Sequence, residues 1–276
     1  MNQRYRHRFE ALRSRNEGAF VPFTVLGDPD PETSLAVLEA FVAGGADMLE
    51  LGIPFSDPVA DGPTIQAADL RALSGGTTPD VAIEILAEFR RRHPDIPIGL
   101  LLYANLVQRP GPHQFCERLA RAGVDSILVA DLPLEESGPF RSASEAAGIG
   151  MVALVTHLTC PDRLSKLIDL GGPFLYVVSR AGVTGRDRSL SNQSVPVLKR
   201  IRRLGGIPTL LGFGIGKPSH VRAAISAGAT GAISGSAVVE IIAGQSSSIG
   251  VARNRQAPLL AELRQFVSAM KGATLK

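Results

Sequence analysis

The stretch LELGIPFSDPVADGPT, residues 49–64, decides both the fold and its chemistry. It opens as an apolar strand around Glu50 and then breaks into a loop with three prolines and two glycines. Because strand side chains alternate between faces, Glu50 points away from the helices that Leu49 and Leu51 would face. Inside a closed parallel barrel, loss of hydration raises the pKa of such a carboxyl group toward neutrality. The alternative is a strand-end Glu satisfied by a backbone amide or an arginine.

Short apolar runs alternate with helical segments along the rest of the chain. Eight runs are strand candidates, at residues 20–26, 47–51, 98–102, 126–129, 151–155, 174–178, 209–212 and 231–234. Continuously apolar strands spaced by helices indicate a parallel sheet that is covered on one side and closed on itself. We therefore predict an α/β fold: a single (β/α)8 TIM barrel domain over residues 1–276, with an extra N-terminal helix.

A weak internal repeat supports equivalent βα units. Residues 43–47, 121–125 and 226–230 each end a helix at glycine and lead into a strand. A doubly wound open sheet would produce the same turn, so the strand count has to separate the two folds. Residues 245–250, rich in serine, are predicted to form a mobile connection before a final helix at 258–271.

Composition limits the possible partners. The net charge of +3 is too small to argue for nucleic acid, and the basic clusters fall at predicted helix ends, where cations suit the helix dipole. No segment has the character of a signal peptide or a membrane span. The two cysteines, Cys116 and Cys160, lack metal-ligand spacing and are interpreted as free thiols of a reducing cytoplasm.

Glycine-rich turns follow three consecutive strands near the end of the barrel. They are residues 182–185, 212–216 and 234–237, and the last of them opens a helix. Backbone amides in such turns approach phosphate closely, and a helix N-terminus adds donors and partial positive charge. Tight-turn geometry would explain any one of them alone. Together they predict a phosphate site at the carboxyl ends of the strands.

Two carboxylates beside a phosphate site indicate general acid–base chemistry on a small phosphorylated molecule. The second carboxylate is Asp61, which could equally be a helix N-cap ahead of residues 65–73. No lysine falls on a predicted strand for a Schiff base, and no His, Asp and Glu cluster has metal spacing. We expect neither a metal nor covalent catalysis.

Six blocks of the sequence resemble the tryptophan synthase alpha chain family, in the family's order. They are AFVPFTVLGDP, LELGIPFSDPVADG, IPIGLLLYANLV, GVDSILVADLPLEES, SRAGVTG and GATGAISGSAVV, beginning at residues 19, 49, 96, 123, 179 and 228. The resemblance implies a lyase of tryptophan biosynthesis. Its reaction would be the retro-aldol cleavage of indole-3-glycerol phosphate to indole and glyceraldehyde 3-phosphate.

The resemblance also implies roles for individual residues. Glu50 would remove the proton of the C3′ hydroxyl and assist protonation of indole C3, while Asp61 would stabilise the indole N–H. The positions matching the indole pocket, where core packing is the alternative, are Phe23, Ile65, Leu101, Tyr103 and Phe213. Tyr176 matches a position beside the catalytic Glu. The positions matching the mobile loop and the phosphate contacts are Thr184, Gly185, Gly214, Gly235 and Ser236.

By the same resemblance the chain would work in an αββα complex with a beta chain. Loop positions matching that contact are Pro54, Asp57, Asn105, Asp131 and Pro133. For Asp57, a turn-forming role before a proline is the alternative. Pyridoxal phosphate would belong to the beta chain, so no cofactor is expected here.

Two other functions compete with this one. Another phosphate-binding barrel enzyme, such as indole-3-glycerol phosphate synthase or a sugar-phosphate epimerase, would need strand-borne lysines or metal ligands. A barrel kept only to activate its partner would tolerate loss of Glu50 and Asp61, and both residues are present.

Overall fold

The strands of this computed structural model, described over residues 3–178, 194–249 and 256–275, form one parallel sheet. They are β1 (Ala19–Val25), β2 (Leu49–Gly52), β3 (Ile98–Leu102), β4 (Ser126–Val129), β5 (Gly150–Met151), β6 (Ala153–Val155), β7 (Leu175–Val178), β8 (Thr209–Gly212) and β9 (Gly231–Ser234). Their order is β5-β4-β3-β2-β1-β9-β8-β7-β6. Only Val152 separates β5 from β6, so the two share one position and the sheet closes into a barrel. The predicted TIM barrel is confirmed.

Helices cover the outside of this barrel. They are α1 (Gln3–Ser14), α2 (Pro31–Ala43), α3 (Pro63–Ser74), α4 (Pro79–Arg92), α5 (Ala104–Gln108), α6 (Pro112–Arg121), α7 (Gly138–Ala146), α8 (Pro161–Asp169), α9 (Ser194–Leu204), α10 (Pro218–Ser226), α11 (Ser236–Ile249) and α12 (Gln256–Gly272). Six of them begin with proline, whose missing N–H costs nothing in a first turn. The prediction of a mobile connection at residues 245–250 is wrong for residues 245–249, because they belong to α11.

Two hydrophobic clusters divide the buried residues. Leu49 and Leu51 belong to the layer between strands and helices, which includes Phe41 of α2 and Phe89 of α4. The second cluster fills the barrel interior and contains Met48, the residue before β2. Glu50 alternates with the leucines and therefore faces the interior, as predicted.

Helix α1 covers the amino-terminal end of the barrel. Its side chains Tyr5, Phe9 and Leu12 join the interior cluster. The Tyr5 hydroxyl lies 2.9 Å from Oγ of Ser126, the first residue of β4. This confirms the extra N-terminal helix and leaves the carboxyl ends of the strands as the open end. Among the described residues, no helix is both long and apolar enough to cross a bilayer.

Candidate active site

Glu50 is a buried acid in the middle of the barrel. It lies on β2 in register with Phe23 of β1 and Gly99 of β3, and only 5% of its surface is exposed. Burial raises its pKa from 4.5 to about 8, and the negative charge of Asp61 adds to the rise. A carboxyl group with this pKa can hold or release a proton near neutrality.

Asp61 lies in the loop between β2 and α3, and its side chain is held by Tyr103. The Tyr103 hydroxyl donates a 2.7 Å hydrogen bond to Oδ2 of Asp61. Burial raises the pKa of Asp61, and the bond from Tyr103 offsets part of that rise. The alternative interpretation of Asp61 as a helix N-cap is wrong, because Gly62 occupies the N-cap of α3 and no side chain caps it.

The two acids ionise in a definite order. The charge of Asp61 raises the pKa of Glu50, while the hydrogen bond from Tyr103 favours the ionised form of Asp61. Asp61 therefore ionises first, and Glu50 keeps its proton beside the resulting charge. Such a split between neighbouring carboxyl groups is a common basis for distinct acid and base roles.

Both acids line one cavity of about 490 Å³ at the carboxyl ends of the strands. Between β2 and β8 in the sheet lie only β1 and β9, so the loops after β8 and β9 curve over the same mouth. The residues lining the cavity are Phe23, Glu50, Asp61, Thr64, Ile65, Leu101, Tyr176, Phe213, Gly214, Ile215, Gly216, Lys217, His220, Ile233, Gly235, Ser236, Ala237 and Glu240.

The loop after β8 has an unusual backbone conformation. Phe213 and Gly214 both have positive φ, at 67° and 77°, a conformation that is unusual for a phenylalanine. The Gly216 N–H donates to Nδ1 of His220 at 3.3 Å. Ser234, at the end of β9, donates from its hydroxyl to the Ile215 carbonyl at 2.6 Å and so joins the two loops.

This end of the cavity suits an anion. Helix α11 begins at Ser236 directly behind Gly235, and its first N–H groups have no partner within the helix. The helix dipole adds partial positive charge at the same place. Lys217 brings a cationic side chain to the lining and His220 an imidazole ring, and the sequence patterns alone identified neither residue. Their position directly after the glycine-rich turn was the available signal.

The structure brings together most of the substrate-binding residues predicted from the sequence. Phe23, Ile65, Leu101, Tyr176, Phe213, Gly214, Gly235 and Ser236 line the cavity. Tyr103 is not among the lining residues and instead donates a hydrogen bond to Asp61. Thr184 and Gly185 lie outside the described residues.

The predicted partner face lies on the loops of the same barrel end. Asp57, Asn105, Asp131 and Pro133 are exposed, whereas Pro54 is buried. Asp131 accepts a 2.8 Å hydrogen bond from the Ala104 N–H, which ties the loops after β3 and β4 together. A metal site is not formed by any His, Cys, Asp and Glu group in the part of the chain that the structure describes.

Comparisons with known proteins identify the family of this chain. The model of the family described as tryptophan synthase alpha chain matches residues 9–273. The tryptophan synthase alpha chain of Cronobacter sakazakii is 48% identical over 273 residues, covering 99% of both chains. That of Shewanella amazonensis is 49% identical over 271 residues, covering 98% of this chain and 99% of its own.

A solved structure of the tryptophan synthase α2β2 complex from Pyrococcus furiosus contains a chain of the same fold. It is 35% identical, superposes with a TM-score of 0.83, and the match covers 93% of this chain and 99% of that one. Sequence and fold agree over nearly the whole length. The chain therefore belongs to the tryptophan synthase alpha chain family.

Proposed function

We propose that this chain cleaves indole-3-glycerol phosphate to indole and glyceraldehyde 3-phosphate, as the alpha subunit of tryptophan synthase. One observation carries the proposal: a single cavity is lined by buried Glu50, by half-buried Asp61 and by the start of a long helix. The substrate carries a matching set of groups, with an indole ring, a hydroxyl-bearing carbon and a terminal phosphate.

Glu50 is proposed to move both protons of the reaction. Its protonated carboxyl group first delivers a proton to indole C3, and the resulting carboxylate then takes the proton of the C3′ hydroxyl. The carbon–carbon bond breaks, its electron pair returns to the indole ring, and the hydroxyl carbon becomes the aldehyde carbon. Neither water nor a redox partner enters this balance. A pKa of about 8 suits a group that must donate and accept in one cycle.

Asp61 is proposed to bind the indole N–H. Protonation of C3 places positive charge on the ring nitrogen, and an ionised carboxylate stabilises that charge most strongly where water is excluded. The Tyr103 hydroxyl holds the Asp61 carboxylate by a hydrogen bond, and Tyr103 itself does not line the cavity. Preorganisation of this kind avoids reorienting the acid during the reaction.

The phosphate is proposed to bind at Gly214, Gly235 and Ser236, with Lys217 close by. Binding at this end would direct the indole ring toward the two acids. Thr184 and Gly185 are proposed, on resemblance alone, to belong to a loop that covers the bound substrate.

The chain is also proposed to bind a beta chain through its exposed loops. The Pyrococcus furiosus relative comes from an α2β2 complex whose two kinds of subunit activate each other. Pyridoxal phosphate would belong to the beta chain, and the alpha chain would need no cofactor. A cytoplasmic location is proposed as well, in line with the free thiols of Cys116 and Cys160.

The test is release of indole from indole-3-glycerol phosphate by the purified chain, alone and with a beta chain. Glu50→Gln should lower kcat by about a hundredfold or more, since general acid–base groups contribute roughly 10²- to 10⁴-fold. Glu84→Gln, the same change at an exposed site on α4, is the matched control. Near-parent cleavage by Glu50→Gln would remove this residue from the mechanism.

A further inference from the structure

Asp69 is a buried acid close to the loop between β2 and α3, and the proposed reaction does not use it. It lies on α3 with 5% of its surface exposed. Acidic side chains are rarely buried this deeply without a partner that offsets the loss of hydration. Its surroundings therefore call for an explanation.

The contacts of Asp69 point toward the loop between β2 and α3. Oδ1 accepts a hydrogen bond from the Phe55 N–H at 3.3 Å. Oδ2 is buried and has no hydrogen-bond partner among the described residues. Asp69 thus holds the beginning of the loop at Phe55, which lies fourteen positions before it in the chain.

Phe55 connects this attachment to the catalytic acid. Its ring stacks on Tyr103 with centroids 5.2 Å apart and planes 23° apart. The Tyr103 hydroxyl donates to Asp61 at 2.7 Å and accepts from the Ala60 N–H at 3.1 Å. The loop is therefore held at its start by Asp69 and at its end by Tyr103, and the two attachments touch through the aromatic pair.

The charges around Asp69 favour its neutral form. Burial raises its pKa to about 7, the negative charge of Asp61 adds to the rise, and Asp28 adds a smaller one. The nearby cation does not offset this, because Arg71 forms both of its 2.8 Å hydrogen bonds with Asp28. What the site needs from Asp69 is an acceptor oxygen for Phe55 rather than a full negative charge.

We infer that Asp69 is a positioning residue for the cleavage reaction: through the Phe55 amide it sets the loop that places Asp61 against the indole nitrogen. The inference rests on the proposed function. Asp61 acts mainly in the transition state, when positive charge develops on the ring, so looser placement should lower kcat more than it raises KM.

Two substitutions at this position separate positioning from charge. Asp69→Asn keeps an acceptor oxygen for the Phe55 N–H and removes the ionisable group. Asp69→Ala removes the acceptor. We expect Asp69→Ala to lower kcat about tenfold with KM within about twofold, since small misplacements of a catalytic group are costly. Asp69→Asn should restore kcat to within about threefold of the parent.

Leu70→Ala serves as the control for helix α3, because Leu70 is 62% exposed and lies beside Asp69 in the chain. It should leave kcat and KM at parent values. Hydrogen exchange at the Phe55 amide gives a second readout: protection should be lost in Asp69→Ala and kept in Asp69→Asn.

The outcomes are distinct. A parent chain that releases no indole, alone or with a beta chain, ends the proposed function itself. If the parent cleaves, equal kcat losses in the Ala and Asn variants would overturn the inference, because the acceptor would then not matter. Parent-like kcat in Asp69→Ala would overturn it as well. Loss in Asp69→Ala, rescue in Asp69→Asn and the matching exchange pattern would support it.

Discussion

At the scale of single residues, the proposed reaction depends on keeping Glu50 away from water. The strand pattern predicts which way the side chain points, because alternate residues face opposite sides of a sheet. It does not predict how dry the interior is. That depends on residues from distant parts of the chain, such as Tyr5 and Tyr176, which meet Glu50 only in the folded barrel.

The raised pKa of Glu50 makes a prediction about stability. An acid with a pKa of 4.5 unfolded and about 8 folded favours the folded state fully below pH 4.5. That contribution is lost as the pH rises toward 8. Glu50→Gln cannot ionise, so it should become more stable than the parent over this range, by on the order of 3–5 kcal/mol at the upper end.

Urea unfolding of both proteins at several pH values measures this difference. Glu84→Gln, at an exposed position of α4, should track the parent at every pH. A constant offset between Glu50→Gln and the parent would mean that Glu50 titrates normally in the folded chain.

Tyr103 makes a second prediction at this scale. Tyr103→Phe keeps the ring that stacks on Phe55 but loses the donor to Asp61 and the acceptor for the Ala60 N–H. We expect kcat to fall about tenfold, with a loss of about 1–2 kcal/mol in unfolding free energy from the unpaired groups. Steady-state cleavage assays and urea unfolding test this. Unchanged kcat would show that Asp61 is placed without Tyr103.

Some site residues can be identified from the sequence pattern around them, and others cannot. Glu50, Gly214 and Gly235 stand in runs whose pattern alone indicates their role. Asp69 and Tyr103 carry no such signal, because each acts through a contact with another segment. The Tyr103 bond to Asp61 spans 42 positions of the chain. A contact of that kind is fixed by packing, which a single sequence does not display.

At the scale of elements, the ends of the strands position the side chains that line the cavity, and small residues there leave space for aromatic rings. Gly212, the last residue of β8, has no space for a side chain: a Cβ there would lie 2.0 Å from the Tyr176 hydroxyl. The Tyr176 ring also meets Phe213 edge-on at 6.1 Å. The end of β8 thus holds two aromatic rings of the cavity in place.

Gly212→Ala should therefore displace the Tyr176 ring toward Glu50 and lower cleavage about tenfold or more, since overpacking forces neighbours to move. Gly244→Ala is the control: Gly244 lies in α11 with nothing within 4 Å of a new Cβ. That change should leave activity intact and stabilise the helix by roughly 0.5–1 kcal/mol. Similar activity in both variants would show that Tyr176 moves freely.

The sequence patterns predict some element boundaries correctly and others not. Strands β3, β4, β8 and β9 begin and end where predicted, and two of these runs end at a glycine or a serine, Gly212 of β8 and Ser234 of β9. The fifth predicted strand is interrupted at Val152 because its two halves pair with different neighbours, β4 and β7. The serines at residues 246–248 suggested a connection, yet serine is only a moderately poor helix former and α11 extends across them.

At the scale of the whole molecule, the two ends of the barrel have different tasks. The carboxyl end carries the cavity, and the amino end is closed by α1 and by charged groups. Asp125 accepts from Arg4 and from Arg90, each at 2.8 Å. The sequence predicts an N-terminal helix but not that it seals the barrel. The single-domain organisation predicted for residues 1–276 stays a prediction.

Tyr5 connects helix α1, which closes the amino end of the barrel, to the surroundings of Glu50. Tyr5 and Glu50 line the same internal cavity of about 10 Å³, which is at the lower limit for one water molecule. The ring of Tyr5 therefore keeps water from approaching Glu50 from below. We expect Tyr5→Ala to admit water and to lower the pKa of Glu50 from its value of about 8.

The pH dependence of kcat/KM, which reports groups of the free enzyme, measures this shift. Tyr5→Ala should also lose about 3–5 kcal/mol of stability, as large-to-small changes of buried aromatic residues do. Leu12→Ala separates the two effects, because Leu12 is buried in α1 but does not line the cavity beside Glu50. It should be destabilised while keeping the parent pH profile. If both variants shift the pH profile equally, the pKa of Glu50 depends on how firmly α1 is packed against the barrel. Water entering beside Glu50 at the position of Tyr5 would then not be the cause of the shift.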